Sequence, residues 1–257
     1  VANFFYTALT SDAKSLTESA VTAGLALNGE GKAEACMGIA VGDCTQDGRL
    51  DLLVTNFLYE SNTLYSPLDG FTFEDRTRPL GLHDATLPVL GWGTQFLDAN
   101  LDGRLEVFVV NGYPQDLSKY DTPYAMRPQM FEWVGQGFHE LTSLKLGTWS
   151  RAKTVGRTVA RLDWNLDGKA DLVVGLMDSP HFILTNTSQT AANEFLSIRL
   201  VATDSARDAI GTTITATIGD SHFMHQLTAG DGYASGNERR LYLGCGSARK
   251  IDKLSIV

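Results

Sequence analysis

The chain has 257 residues, of which 43% are hydrophobic, and its 30 acidic side chains outnumber its 21 lysines and arginines to give a net charge of −9. It is long enough to bury a sizeable core, while the acidic balance and the lack of a basic run exclude nucleic acid as an expected partner. No run of 18 or more apolar residues is present, so the sequence predicts no membrane-spanning helix.

Residues 1–25 resemble the second half of a unit that recurs later in the chain. They open on the aromatic run NFFY and end on AGL. A similar order, from an aromatic strand to a Gly-Leu or Leu-Gly end, is found at 71–82 (FTFEDRTRPLGL) and at 137–147 (GFHELTSLKLG). Because internal similarity is the signature of repeat architectures, we expect the chain to begin inside a unit and to be a fragment of a larger protein.

Three short acidic motifs follow, each with an oxygen-bearing side chain at positions 1, 3 and 5, glycine at position 6 and an acid at position 9. A hard cation needs about six to eight oxygen ligands, and alternating donors followed by a turn-permitting glycine supply them. Position 7 is basic in every copy and would contribute its backbone carbonyl. The candidate ligands are Asp43, Thr45, Asp47, Arg49 and Asp51 in the first loop, Asp98, Asn100, Asp102, Arg104 and Glu106 in the second, and Asp163, Asn165, Asp167, Lys169 and Asp171 in the third.

The motifs differ from EF-hands, which need a bidentate glutamate at position 12 and a helix on either side. Position 12 is Val54, Val109 or Val174. Each motif is preceded by a short apolar run (GIAV, TQFL or TVARL) and followed by another (LLVTN, VFVVNG or LVVGL). Such β-branched and aromatic runs are typical of strands. We therefore predict calcium loops that lie between two strands and are closed by the acid at position 9.

A solvated turn is the alternative for any single motif, since Asp and Gly are ordinary turn residues. Three copies in the same strand-loop-strand context favour metal binding, and we predict two to three Ca²⁺ sites. The first loop departs most from the pattern, because Thr45 replaces an acid or amide at position 3 and Cys44 stands at position 2. The loops hold nine carboxylates, and three bound Ca²⁺ would change the net charge from −9 to −3 (three times +2).

The spacing of the motifs predicts a repeated β architecture. The loops are 55 and then 65 residues apart, and four short strands per unit, stacked radially, make a β-propeller blade. We predict half a blade at 1–25 and blades at about 36–82, 90–147 and 156–194, which together form a propeller region over 1–194. Because propellers close with about four to eight blades, three and a half units predict a partial β-propeller in an all-β chain.

The longer interval contains an insertion at 111–128 (NGYPQDLSKYDTPYAMRP) that is rich in Tyr, Pro and Asp. Long loops on a rigid scaffold commonly bind partners. We predict that Tyr113, Tyr120 and Tyr124 form an exposed surface for a protein or glycan ligand. The alternative is that these tyrosines fold back on the blade.

Residues 195–257 predict a separate small all-β domain. Apolar and polar residues alternate in FLSIRL and TTITATI, as in strands with one buried face. The connection GDGYASG is rich in turn residues. Asp208, Asp231, Tyr233 and Asn237 are candidates for a small polar site there, or for a hydrogen-bonded loop that joins two strands.

Cys36, Cys44 and Cys245 are odd in number. Cys36 and Cys44 are eight residues apart along a strand, about 26 Å if extended, which is too far for a bridge. A bridge from either one to Cys245 stays open, and free thiols are the other possibility.

With these motifs, the chain resembles two known families. MGIAVGDCTQDGRLDLLVTN, GWGTQFLDANLDGRLEVFVVNG and GRTVARLDWNLDGKADLVVGL resemble FG-GAP/VCBS repeats, the calcium-loop blades of integrin-type propellers. RDAIG, GDGYASGNERRLYLG and the last strand are similar to the ASPIC/UnbV domain, and the order of the two is that of bacterial ASPIC/UnbV proteins and cartilage acidic protein. The resemblance implies an extracytoplasmic protein (secreted, at the cell surface or periplasmic) with a calcium-dependent binding or matrix role. The chain departs from the family in its degenerate first loop, its missing upstream blades and its end before the usual Trp-Pro-x-Gly.

Two functions of different class remain. The first is a non-enzymatic, calcium-binding scaffold for adhesion or interaction, in which calcium rigidifies the blades, surface loops bind a protein or glycan, and a larger assembly is possible. The alternative is a catalytic or non-catalytic part of a polysaccharide-processing enzyme. An enzyme needs a convergent set of acids and bases outside the metal loops; Asp116, Asp121 and Tyr124 in the insertion are the one candidate set for such chemistry, and their pattern is that of a surface loop. We therefore favour the scaffold and expect no enzymatic activity.

Overall fold

The computed structural model describes residues 2–8, 14–189 and 192–257, and within these ranges the chain is all-β with few helices, as the sequence predicts. The helical segments are short: α1 (Ala20–Ala23), α2 (His83–Thr86), α3 (Ser143–Leu146) and the 3₁₀ turns Ser118–Tyr120 and Thr148–Arg151. None of the helices in the described ranges has the length and apolar character that a bilayer span requires.

The N-terminal residues pack against the outer side of the first large sheet. They contain two short antiparallel strands, β1 (Tyr6–Thr7) and β2 (Thr17–Glu18). Leu25 lies in one buried cluster with Val54 and Tyr65. The rings of Phe5 and Phe73 meet edge to face with their centroids 6.1 Å apart, an arrangement that aromatic pairs favour.

Three antiparallel sheets follow, in which each strand pairs with its neighbour in the chain. The first contains β3 (Ile39–Gly42), β4 (Asp51–Val54), β5 (Thr63–Pro67) and β6 (Phe73–Asp75). The second contains β7 (Gly91–Leu97), β8 (Glu106–Asn111), β9 (Gln129–Val134) and β10 (Gly137–Glu140). The third contains β11 (Gly156–Leu162), β12 (Asp171–Leu176) and β13 (Phe182–Leu184). None of these sheets closes into a barrel in the described part of the chain.

Two hydrophobic cores fill the spaces between successive sheets. The core between the first and second sheets includes Leu53, Leu64, Phe96, Val107 and Phe131, each at most 1% exposed. The core between the second and third includes Phe108, Val110, Val159, Leu172 and Val174. Full burial of each large apolar side chain contributes about 1.5–3 kcal/mol, so these two layers are the main source of cohesion between sheets.

The first strands of successive sheets are neighbours, and glycine permits their close approach. A Cβ at Gly93 in β7 would lie 2.7 Å from the backbone N of Val159 in β11, so any larger residue would push the two strands apart. β3 likewise neighbours β7, where a Cβ at Gly42 would lie 3.2 Å from the ring of Phe96. The hydroxyl of Thr55, which follows β4, donates to the Trp92 carbonyl at 2.6 Å. The three sheets therefore meet along β3, β7 and β11.

The C-terminal region forms two smaller sheets. One pairs β14 (Glu194–Ile198) with β17 (Leu241–Gly246), and the other has the order β16 (Ser221–Gln226), β15 (Thr213–Ile218) and β18 (Lys253–Ile256). The predicted alternation in β15 is confirmed, since Ile214 and Ala216 are buried while Thr215 between them is exposed.

Two details bear on the sequence predictions. Within 156–194 the described residues form three strands, and β14 already begins at Glu194 in the next sheet, so the fourth strand of a complete blade is absent from the described part.

Cys36, Cys44 and Cys245 are free thiols. This decides between the disulfide and the free thiols, the two possibilities that the sequence left open.

Candidate calcium-binding loops

Each acidic loop joins the first and second strands of a large sheet in the same register. Position 1 directly follows the first strand, and position 9 is the first residue of the second strand. The last residue of the first strand pairs with the acid at position 9, as Gly42 with Asp51, Leu97 with Glu106 and Leu162 with Asp171. The strands thus hold the two ends of every loop face to face.

The three loops share one backbone conformation. Position 4 is left-handed, with φ of 58° at Gln46, 61° at Leu101 and 60° at Leu166, and the glycine at position 6 has φ of 81° at Gly48, 88° at Gly103 and 83° at Gly168. A left-handed conformation at a residue with a side chain costs about 1–2 kcal/mol. Its presence at position 4 of all three loops means that other contacts stabilise this conformation.

The aspartate at position 1 provides such contacts. In the second loop, Asp98 accepts the backbone N–H of Asp102 through Oδ1 at 3.1 Å and that of Gly103 through Oδ2 at 2.8 Å. Asp43 and Asp163 accept the N–H groups of positions 5 and 6 in the same way, at 2.9 to 3.1 Å. In each loop, the backbone is therefore held in its turn by the two hydrogen bonds that the position-1 carboxylate accepts.

Positions 3 and 5 continue the pattern in two of the loops. The amide oxygens of Asn100 and Asn165 accept the N–H of position 5 at 2.9 and 3.2 Å, and the position-5 carboxylate accepts the N–H of position 7 in all three loops at 2.8 to 3.0 Å. Thr45 differs, because its hydroxyl donates to Asp51 at 3.2 Å. The first loop therefore differs from the other two in structure as well as in sequence.

The acid at position 9 closes the loop from the other side. Asp51 accepts the N–H groups of Cys44 and Thr45 at 3.0 and 3.1 Å, and Glu106 accepts that of Ala99 at 2.7 Å. In the third loop Asp171 accepts the N–H of Trp164 at 3.0 Å and that of Asn186 at 2.7 Å. Asp51, Glu106 and Asp171 are all buried.

Burial makes several of these acids hard to ionise. It is the main cause that raises the pKa of Asp43 to about 6, that of Asp98 to about 7 and that of Glu106 to about 8, with neighbouring carboxylates adding to the effect. Such shifts mean that the ionised loops lack compensating positive charge.

The basic residue at position 7 supplies some of that charge in two loops. Arg49 pairs with Asp47 at 2.6 Å and Lys169 with Asp167 at 3.2 Å. In the second loop Arg104 lies over the ring of Trp133 instead, 6.0 Å from its centroid. The acids of the second loop form no ion pair among the residues that the structure describes, so this loop has the largest uncompensated charge.

The donor atoms of the loops suit Ca²⁺. All are oxygens, as this cation prefers, and Oδ1 of the fully buried Asp51 accepts no hydrogen bond, while burial raises the pKa of that residue. In the described ranges no three acidic, histidine or cysteine side chains converge in the manner of a metal site, because the carboxylates are directed at backbone N–H groups. The residues that would hold the cation are the side chains of positions 1, 3, 5 and 9 and the carbonyl of position 7.

A second polar cluster lies where the three large sheets meet. The segment of residues 230–238, called the inner segment below, runs along β3, β7 and β11. Gly232 exchanges two backbone hydrogen bonds with Ile39 at 2.6 and 3.1 Å, and the Ser235 hydroxyl donates to the Val159 carbonyl at 2.8 Å. The ring of Tyr233 meets that of Trp92 at 4.9 Å.

Three of the four polar residues singled out in this part of the sequence lie in that cluster: Tyr233, Asp231 and Asn237. The Asn237 amide donates to Gln95 at 2.9 Å and lies 3.4 Å from the buried Asp231 carboxylate. Asp208 is exposed on the loop before β15. The structure therefore favours the second interpretation, a hydrogen-bonded loop. This loop joins the large sheets to one another, whereas the sequence suggested that it joins two strands.

The tyrosines of the insertion have different environments. Tyr113 is half-buried, with its ring 5.3 Å from that of Phe57, and Tyr124 is half-buried as well. Tyr120 is 68% exposed. Of the three predicted contact residues, Tyr120 alone presents its ring to solvent, and the other two follow the alternative in which the tyrosines fold back.

Comparison with known proteins gives one family match. Residues 202–257 match the family described as ASPIC and UnbV, so the chain carries an ASPIC/UnbV domain at its C-terminus. The match contains the inner segment and β15 to β18. No curated protein matches the chain.

Proposed function

We propose that this chain is a calcium-binding scaffold of the FG-GAP/VCBS type, in which the three large sheets are blades of a β-propeller and the ASPIC/UnbV domain is attached to them. Two of the sheets are four-stranded antiparallel meanders, the form of a propeller blade. The contacts along β3, β7 and β11 support a radial stacking, because they place the first strand of each sheet beside that of the next.

The observation that carries the calcium proposal is the shared conformation of the three loops. Their left-handed residues recur at the same positions, and their carboxylates occupy the same places relative to the strands. A bound divalent cation would offset the charge of buried acids such as Asp98 and Glu106. The chain's own part is to hold the oxygens in place through the strand register and the backbone hydrogen bonds.

The biological role follows from this chemistry and the resemblance. Calcium sites of extracellular modules are commonly weak, and an extracytoplasmic location therefore suits a scaffold with loops of this kind. We propose a non-enzymatic role in adhesion or interaction, with a protein or glycan as the ligand. Exposed Tyr120 on the insertion is one residue through which such a ligand would be contacted.

Thermal unfolding with Ca²⁺, with Mg²⁺ and with chelator tests the proposal, together with the number of Ca²⁺ ions bound at equilibrium. We expect two to three bound ions. A ligand at about 100 times its Kd stabilises by about 2.7 kcal/mol, and each kcal/mol raises the Tm of a chain of this size by about 2–4 °C, so Ca²⁺ should raise the Tm by about 5–11 °C.

Asp102→Asn is the informative variant, because an asparagine keeps the oxygen that accepts the Arg104 N–H at 2.8 Å while it removes the charge and the exposed hydrogen bond that Oδ2 accepts from the Asn100 amide at 3.1 Å. We expect this variant to bind one ion fewer or much more weakly. Asp220→Asn, at an exposed turn, is the matched control and should behave as the parent chain. An identical Tm in Ca²⁺ and in chelator, with no ion bound, would refute the proposal.

A further inference from the structure

The C-terminal region rests directly on the second loop. A Cβ at Gly244 in β17 would lie 2.0 Å from Oδ2 of Asp98 and 2.5 Å from the carbonyl carbon of Leu101. Two residues on, the Gly246 N–H donates to the Leu101 carbonyl at 2.9 Å. The backbone of β17 therefore touches a candidate ligand and the left-handed residue of the same loop.

Aromatic rings of the C-terminal region cover the glycines at position 6. A Cβ at Gly103 would be 2.4 Å from the ring of Phe223, and a Cβ at Gly168 would be 2.0 Å from that of Phe195. Glycine is therefore needed at these positions for two reasons: its φ is positive, and the ring occupies the space that a Cβ would fill.

Polar contacts fix the same interface. The Asn193 amide donates to the Asn100 carbonyl at 2.8 Å, and the Asp163 N–H donates to the Glu238 carboxylate at 3.3 Å. Glu238 is held in turn by the Tyr242 hydroxyl at 2.7 Å. Both the second and the third loop are thus bound to residues 192–257 through their backbones.

The first loop provides an internal comparison. A Cβ at Gly48 would meet nothing within 4 Å, so no ring covers this glycine. The Gln46 amide donates to the Gly103 carbonyl at 3.0 Å, which links the first loop to the second rather than to the C-terminal region.

We propose that cation binding in the second and third loops and docking of residues 192–257 stabilise each other. This inference rests on the proposed calcium function. The residues that dock on the loops contact Asp98 and the backbone at positions 3, 4 and 6, and these are the groups whose placement a cation requires. Because coupling between two binding events is reciprocal, Ca²⁺ tightens the docking, and the docked region raises the Ca²⁺ affinity of these two loops but leaves the first unaffected.

Hydrogen exchange of the full chain in Ca²⁺ and in chelator gives the first readout. We expect the amides of β14 and β17 to exchange at least about tenfold more slowly in Ca²⁺, in the range of typical coupling free energies. Amides of β5 in the first sheet serve as the reference for a general gain in stability.

Two variants then test the reverse direction by calorimetric titration with Ca²⁺. Gly244→Ala should weaken one site by about tenfold, because the new methyl group displaces the contact with Asp98. Phe195→Ala removes the ring over Gly168 and should weaken a different site; Phe195 is 42% exposed, so this variant should still fold. The controls are Gly236→Ala, where a Cβ meets nothing within 4 Å, and Phe71→Ala, whose ring is 74% exposed.

The outcomes separate the two proposals. If the parent chain binds no Ca²⁺, the calcium function fails and the coupling with it. If it binds Ca²⁺ while exchange in β14 and β17 is unchanged and Phe195→Ala titrates as the parent does, the calcium function stands and the coupling is refuted. Weaker binding in both variants with unchanged binding in both controls supports it.

Discussion

Asn237 joins the ASPIC/UnbV domain to the line where the three large sheets meet. Its amide nitrogen donates to Oε1 of Gln95 at 2.9 Å, and its amide oxygen accepts the backbone N–H of Arg161 at 2.8 Å. Gln95 is fully buried and in turn donates to the Val159 carbonyl at 3.0 Å. One side chain therefore satisfies groups on both β7 and β11.

Asn237→Ala would leave the Gln95 oxygen and the Arg161 N–H without their protein partner. Each buried polar group left unsatisfied costs about 1–3 kcal/mol. Because Asn237 is itself half-exposed, water can reach part of the vacated space, and we place the sum at about 2–3 kcal/mol, in the lower half of the range. Since one kcal/mol lowers the Tm of a chain of this size by about 2–4 °C, the Tm should fall by about 4–12 °C.

Thermal and denaturant unfolding of the variant measure this loss. Asn237→Asp keeps the acceptor for the Arg161 N–H, but its second oxygen would face Oε1 of Gln95 and the Asp231 carboxylate, 3.4 Å from the replaced nitrogen, so this variant should be at least as destabilised as the alanine variant at pH 7. Gln189→Ala removes an exposed amide with one weak contact, at 3.4 Å to the Thr187 carbonyl, and should leave the Tm unchanged. If Asn237→Ala unfolds with the parent Tm, the inner segment does not hold the sheets together.

Two further outcomes are expected. Phe131→Ala, at a fully buried position of the core between the first and second sheets, should cost about 3–5 kcal/mol in a denaturant titration, while exposed Phe71→Ala should change stability by less than about 0.5 kcal/mol. Burial, and then the charge of Arg161, lower the pKa of His225 to about 4. The unfolded chain therefore binds this proton more readily, and stability from His225 is complete above pH 6.5 and lost as the pH falls towards 4. Because the residue keeps some exposure, we expect His225 to contribute a loss of about 1–3 kcal/mol. Buried acids such as Asp98 and Glu106 act in the opposite direction over this pH range, so the loss is measured as the difference between the parent and His225→Gln when unfolding is followed from pH 7 to pH 4.

The loops were predictable because their determinants are local. Alternating oxygens and a glycine within nine residues predict a turn of this kind, and the apolar runs on either side predict the strands. The structure adds that position 4 is left-handed in every copy, as at Leu101 and Leu166. Nothing in the composition of position 4 indicates this, since leucine does not favour that conformation, so it follows from the hydrogen bonds of the aspartate at position 1.

The docking of the C-terminal region was not predictable, because its contacts join residues far apart in the chain. Asn237 and Gln95 are 142 residues apart, and neither stands in a motif that indicates the other. The insertion shows the same limit on a smaller scale. Its tyrosines are alike in composition, yet Tyr113 packs on Phe57 while Tyr120 faces solvent. A pattern along the chain indicates which residues are apolar or polar, but the sheet that each one meets depends on the tertiary arrangement.

The strand register connects the fold of this chain to its candidate sites. Because side chains alternate between the two faces of a strand, a slip of one residue between β7 and β8 would turn Glu106 to the opposite face. The acid at position 9 would then leave the Ala99 N–H that it accepts at 2.7 Å. The same slip would exchange the fully buried Val107 and Val109 of the core between the first and second sheets for Phe108 and Val110 of the core between the second and third, so both cores would lose their packing. Apolar burial therefore fixes the position of the carboxylate, and an acid with a pKa raised to about 8 is held in the loop by hydrophobic packing rather than by its own charge.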